Sequence, residues 1–138
     1  MTTILLAEDS KFLRIATERA LLRAGYSVST ASDGEQALQM ARTNPPDLIL
    51  LDMLLPKMTG PDVLKALKKE PATAKIPVVV LSGLSNKNAS KLAADGAIAF
   101  LEKSTLEMDK GAGTLLAALS EIVKKLPKTN AAAVAATK

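Results

Sequence analysis

The chain alternates two kinds of apolar pattern. Short continuous runs occur at 4–7, 28–31, 48–51, 76–81 and 98–101, each the length of a strand buried on both faces. Between them the apolar positions take helical spacing. The first helical stretch puts Leu13, Ala16, Ala20, Leu21 and Ala24 on one stripe, leaves Lys11, Arg14, Glu18 and Arg23 off it, and stops at Gly25. The second follows Asp33-Gly34, uses Ala37, Leu38 and Ala41, and ends before Pro45-Pro46. The third opens at Pro61, a favoured first-turn residue, carries Val63, Leu64 and Leu67, and stops before Pro71. A fourth runs through Lys91, Leu92 and Ala93 to Gly96, and a fifth, over 113–125, carries Leu115, Leu116, Leu119, Ile122 and Val123.

Five strand-then-helix units in succession predict an α/β fold. Parallel strands need crossover connections, and strands covered on both faces read as unbroken apolar runs. The expected architecture is an open, doubly wound five-stranded parallel sheet with helices on both faces. It accounts for residues 1–126, and an Ala-rich basic tail follows at 127–138, beginning at the helix-interrupting Pro127.

Composition narrows the chemistry. At 138 residues and 48% hydrophobic content the chain has material for one real core, and disorder over its whole length is excluded. The net charge of +4 invites a nucleic-acid reading, but residues 1–123 carry 14 Lys and Arg against 14 Asp and Glu, so the excess is Lys124, Lys125, Lys128 and Lys138. Phe12, Tyr26 and Phe100 are the only aromatics, too few for a base-stacking platform. With no Cys there is neither a disulfide framework nor a thiolate metal site; with no His, zinc clusters and Ser-His or Cys-His catalysis are also excluded. No apolar run is long enough for a signal peptide or a membrane span, and a cytoplasmic protein is expected.

In open parallel sheets ligands bind beyond the carboxyl ends of the strands. Here those ends are Glu8-Asp9 on the first strand, Asp52 on the third, Ser82-Gly83 on the fourth and Glu102-Lys103 on the fifth. Taken singly, most have plain readings: Glu8-Asp9-Ser10 as a helix cap, Ser82 as a loop hydroxyl, Lys103 as a solvated cation. Asp52 is harder to explain away, since an acid inside Leu-Ile-Leu-Leu-Asp-Met-Leu-Leu carries a large desolvation penalty. Jointly, three acids would repel one another or recruit a cation, and oxygen ligands without His or Cys point to Mg²⁺. A carboxylate beside such an ion is a competent nucleophile toward phosphorus, with Lys103 and the Ser82 hydroxyl available to the phosphoryl oxygens. The constellation reads as a phosphate acceptor.

These motifs together resemble the receiver domain of two-component response regulators. The resemblance spans about Thr3 to Leu126 and rests on Glu8-Asp9, on Asp52 with Pro56, Met58 and Gly60 at the family's spacing, on Ser82-Gly83, and on Phe100-Leu101-Glu102-Lys103. It implies a flavodoxin-like strand order 2-1-3-4-5, for which the standard illustration is itself a chemotaxis receiver. It implies that Asp52 accepts a phosphoryl group from the phosphohistidine of a sensor histidine kinase or phosphotransfer protein. Mg²⁺ would bind to Asp9, Asp52 and the Leu54 backbone carbonyl, with Glu8 acting through water. Ser82 and Lys103 would contact the phosphoryl group. Phe100 would be the aromatic switch, altering a partner-binding face made by the fourth helix, fifth strand and fifth helix. Such a domain is no enzyme toward other substrates; it catalyses its own phosphorylation and dephosphorylation, with no membrane or direct nucleic-acid partner.

Two departures from the family pattern stand out. Ser104 replaces the usual cis proline after the lysine, and Leu54 and Leu84 occupy the two positions that tune hydrolytic water, predicting a phosphorylated state without side-chain-assisted self-hydrolysis. Two other classes compete. A flavodoxin-like cofactor binder would need a hydroxyl- and amide-rich loop where Glu8-Asp9 stands, and an aspartyl-nucleophile phosphatase would carry a second acid where Leu54 stands.

Overall fold

A computed structural model describes residues 2–53, 55–82, 96–102, 117 and 119–124 of the chain. Five parallel strands, β1 (Thr3–Ala7), β2 (Ser27–Ala31), β3 (Leu48–Asp52), β4 (Val78–Ser82) and β5 (Ala99–Glu102), form one sheet in the order β2-β1-β3-β4-β5. Three complete helices are described: α1 (Lys11–Arg23), α2 (Gly34–Thr43) and α3 (Gly60–Lys69). Residues 119–124 are also helical. The expected strand order is the observed one, and the registers Ile4↔Leu48 and Ile49↔Val78 align the chain so that every strand ends on one edge.

Alternation along each strand splits the core into two layers. Leu5, Ala7, Ile49, Leu51, Val78 and Val80 face α2 and α3, meeting Ala37, Leu38, Ala41, Val63, Leu64 and Leu67. Ile4, Leu6, Leu48, Leu50, Val79 and Leu81 face the other way, against Leu21 of α1 and Leu119. Helices therefore cover both faces, and the central strands are apolar at both parities because neither face meets water.

The helix limits follow local chemistry. Asp33 caps α2 by accepting from the Gln36 amide at 2.7 Å, Thr59 caps α3 by accepting from the Asp62 amide at 3.3 Å, and Pro61 sits in the first turn of α3. α1 ends in a Schellman arrangement: the Tyr26 amide donates to the Leu21 carbonyl, the Gly25 amide to Leu22, and Gly25 takes φ +97°.

Three sequence expectations need adjustment. The inward face of α1 is Thr17 and Leu21, with Leu13 half-buried, whereas Ala16 and Ala24 are exposed. Ala costs little at an exposed helical position, so its spacing does not mark the buried face. The fourth strand begins at Val78 because Pro77 has no amide for the ladder; Ile76 is buried in the preceding turn. β2 is only partly buried along Ser27 to Thr30, as an edge strand paired on one side. The predicted helix at 91–96, except its terminal Gly96, residues 113–116, 118 and 125 of that at 113–125, and the tail at 127–138 lie outside the described residues.

Candidate functional site

The site is built where β1 and β3, hydrogen-bonded neighbours, reach the carboxyl edge of the sheet. Glu8 follows the last residue of β1, Asp9 comes next, and Asp52 is the last residue of β3. Glu8 and Asp52 are each only 2% exposed, while Asp9 is open to solvent. One carboxylate oxygen from each lies within 4.8 Å of the others. Two acids thus form a buried wall and the third an open arm.

The β1–α1 turn is held from several sides. The Glu8 amide continues the ladder to the Ala31 carbonyl at 3.0 Å. The Ser10 amide donates to Glu8 Oε2 at 3.0 Å, and the Ser10 hydroxyl accepts from the Leu13 amide at 3.3 Å as the cap of α1. From the next turn, Arg14 Nη1 donates to the carbonyls of Glu8 at 3.0 Å and Asp9 at 3.3 Å. Sequence patterning leaves Arg14 as a cation off the apolar stripe. The signal for its role is geometric: helical side chains lean toward the N-terminus, so a residue four positions after the cap covers the turn before it.

The segment after Asp52 is clamped between helices. The Met53 amide donates to Leu81 at 3.0 Å, the Gly60 amide to the Met53 carbonyl at 2.8 Å, and the Gly34 amide to the Pro56 carbonyl at 3.1 Å. A Cβ at position 60 would overlap the Asp52 carbonyl oxygen and stand 2.7 Å from the Met53 Cα, so only glycine lets α3 start this close to β3. Lys57 turns the segment with φ +68°.

The expected site residues divide accordingly. Glu8, Asp9 and Asp52 are brought together. Ser82 ends β4, the strand beside β3, and Phe100 lies in β5 opposite Val80, though neither side chain is among those described. Leu54, Lys103 and the Lys103-Ser104 peptide lie outside the described residues. Phe12, which patterning does not single out, stands in the first turn of α1 with 83% of its surface exposed, three residues from Asp9.

Three carboxylates converging from two strand ends, in a chain without His or Cys, form an oxygen donor set suited to a hard cation. The set fits such an ion because its negative charges are held within reach of one another and two of them are shielded from water. Among the described residues no helix is long and apolar enough to cross a membrane.

Comparison with known proteins agrees with this geometry. The family model described as the response regulator receiver domain matches residues 4–115. The gliding motility regulatory protein of Myxococcus xanthus is 43% identical over 108 residues, covering 77% of this chain and 14% of that protein. The chain therefore spans about a seventh of that relative's length. Among solved structures, the Vibrio cholerae chemotaxis protein CheY4 superposes with a TM-score of 0.78 at 30% identity, covering 88% of this chain and 98% of its own. The Mn²⁺-bound form of response regulator Rcp1 superposes with a TM-score of 0.80 at 26% identity, covering 94% and 99%.

Proposed function

Because the chain belongs to the response regulator receiver family of two-component signalling, we propose that its Asp52 carboxylate accepts a phosphoryl group from the phosphohistidine of a sensor histidine kinase or phosphotransfer protein. The supporting observation is the clustering of Glu8, Asp9 and Asp52 within 4.8 Å, with Asp52 buried at the end of a central strand. A receiver takes the place of the flavin-binding and phosphatase alternatives.

In the proposed step an Asp52 carboxylate oxygen attacks phosphorus as the phosphorus–nitrogen bond of the donor breaks. The bonding pair leaves with the imidazole nitrogen, and Asp52 becomes a mixed anhydride. Asp9, Asp52 and the Leu54 carbonyl would hold Mg²⁺, with Glu8 acting through water. The ion's chemistry is to offset the charge of the acids and of the phosphoryl oxygens. Asp52, buried at the end of β3, presents its carboxylate beside Asp9, whose exposure leaves one side of the site open to the donor. Ser82 and Lys103 are assigned to the phosphoryl oxygens, Phe100 to the switch, and the face of the fourth helix, fifth strand and fifth helix to the downstream partner. On this reading residues 1–126 are the cytoplasmic switch, residues 127–138 are its tail, and no reaction beyond its own phosphorylation and dephosphorylation is catalysed.

Donor docking has a further support. An aromatic ring left 83% exposed beside an acid cluster suits burial against a protein that brings the phosphohistidine to the site.

The test is incubation with a small-molecule phosphodonor followed by intact mass measurement. The expected result is a phosphate-sized gain that requires Mg²⁺ and disappears in Asp52→Asn; a gain of equal size in that variant would contradict the assignment.

A further inference from the structure

Arg14 makes contacts that the phosphoacceptor chemistry does not itself call for. Its Nη1 spans two consecutive carbonyls, Glu8 at 3.0 Å and Asp9 at 3.3 Å, which belong to the two residues that supply adjacent carboxylates to the cluster. A carbonyl's direction is set by the peptide plane it belongs to. Holding both carbonyls fixes the plane between Glu8 and Asp9 and the plane between Asp9 and Ser10, the two planes that flank the Asp9 Cα, and so fixes how the Cα–Cβ bond of Asp9 points.

The two acids have different needs. Glu8 is buried, its Oε2 is already engaged by the Ser10 amide at 3.0 Å, and its amide is tied into the sheet. Asp9 has left the sheet and is exposed, so its position depends on its own backbone. A charge-assisted donor that bridges the two carbonyls ties the open arm to the buried wall.

We infer that Arg14 is a positioning residue for the cation site, acting through the backbone of Glu8 and Asp9; this rests on the reading of those acids and Asp52 as Mg²⁺ ligands. Its guanidinium holds Asp9 in place for the ion before the ion arrives, so that binding does not have to order the turn.

Lysine separates geometry from charge at this position. Arg14→Lys keeps the positive charge, and hence any repulsion of the ion, but replaces a fixed planar fork by a single ammonium on a flexible stem. The magnesium dissociation constant, read by isothermal titration calorimetry, is expected to rise about tenfold in Arg14→Lys. Arg19→Lys, an exposed change on the same helix, is expected to bind like the wild type. Phosphorylation of Arg14→Lys by a small-molecule donor should be slow at low Mg²⁺ and regain the wild-type rate at saturation, with the metal-free melting temperature unchanged.

Equal affinity in Arg14→Lys and wild type overturns the inference. So does a rate that stays low at saturating Mg²⁺, or a weakened affinity matched by a lowered metal-free melting temperature, since each gives Arg14 a different role. Absence of Mg²⁺ binding by the wild type overturns the metal reading itself, and this inference with it; normal binding by both proteins overturns this inference alone.

Discussion

At the scale of single residues, the site is a set of charges placed where the sequence would otherwise avoid them. Asp52 is 2% exposed after Leu48, Ile49, Leu50 and Leu51, and Glu8 is as deeply buried after Ile4, Leu5, Leu6 and Ala7. Burying a carboxylate without compensation costs several kcal/mol, which is why Asp52 stood out in the sequence, whereas Glu8-Asp9-Ser10 taken alone read equally well as a helix cap and gained weight only beside Asp52. The residues that support them were not legible. Arg14 and Phe12 have the composition of an ordinary helix surface, and only the fold puts one against two carbonyls and leaves the other's ring in solvent. Because Phe12 is so exposed, Phe12→Ala should change stability by less than about 0.5 kcal/mol. It should slow phosphotransfer from a protein donor about tenfold, as loss of an aromatic anchor does, and leave phosphorylation by a small-molecule donor unchanged. Equal rates with both donors would show that the ring takes no part in docking.

At the scale of elements, helix starts define the site as much as strand ends do. The β3–α3 segment is gripped by the Gly60 amide on Met53 and the Gly34 amide on Pro56. Gly60→Ala would push a methyl group against the Asp52 carbonyl and force β3 and α3 apart. A loss of about 1–3 kcal/mol in urea unfolding is expected, typical of overpacking at a rigid contact; a change within about 0.5 kcal/mol would mean the segment yields freely. The existence of the five strands and of α1, α2 and α3 was readable from apolar periodicity, and so were Ala37, Leu38, Ala41, Val63, Leu64 and Leu67 as the buried faces of α2 and α3. The face of α1 was misjudged because Thr17 is buried while two alanines on the expected stripe are exposed. Periodicity weighs hydrophobicity, but burial at that interface is decided by which residues meet the sheet.

At the scale of the whole molecule, chemistry and anchoring occupy opposite edges of the sheet. The acids lie at the carboxyl ends of the strands. At the other edge, ahead of β4, Lys68 Nζ donates to the carbonyls of Ala74 at 3.0 Å and Ile76 at 2.8 Å. Burial lowers the Lys68 ammonium below its ordinary 10.5. The folded chain therefore releases this proton at a lower pH than the unfolded chain, and the cost of burying the charge is fully present below the folded-state value. It is relieved as pH rises from there to 10.5, where the unfolded chain holds more protons. In urea unfolding, wild type should gain stability relative to Lys68→Met across that window; a difference independent of pH would contradict the desolvation account. The topology was legible from the alternation of patterns, and the strand order came from the resemblance. Charge was informative only by position: the excess of +4 lies beyond residue 123, while the clustered carboxylates of Glu8, Asp9 and Asp52 sit at strand ends.

The central claim is that Asp52 itself becomes the acyl phosphate, and borohydride reduction followed by peptide mass mapping tests it most directly. An acyl phosphate is reduced to an alcohol, so the phosphorylated protein should yield homoserine at position 52 and leave Glu8 and Asp9 unchanged. Reduction at Glu8 or Asp9, or a phosphorylated protein with position 52 still aspartate after reduction, would contradict it.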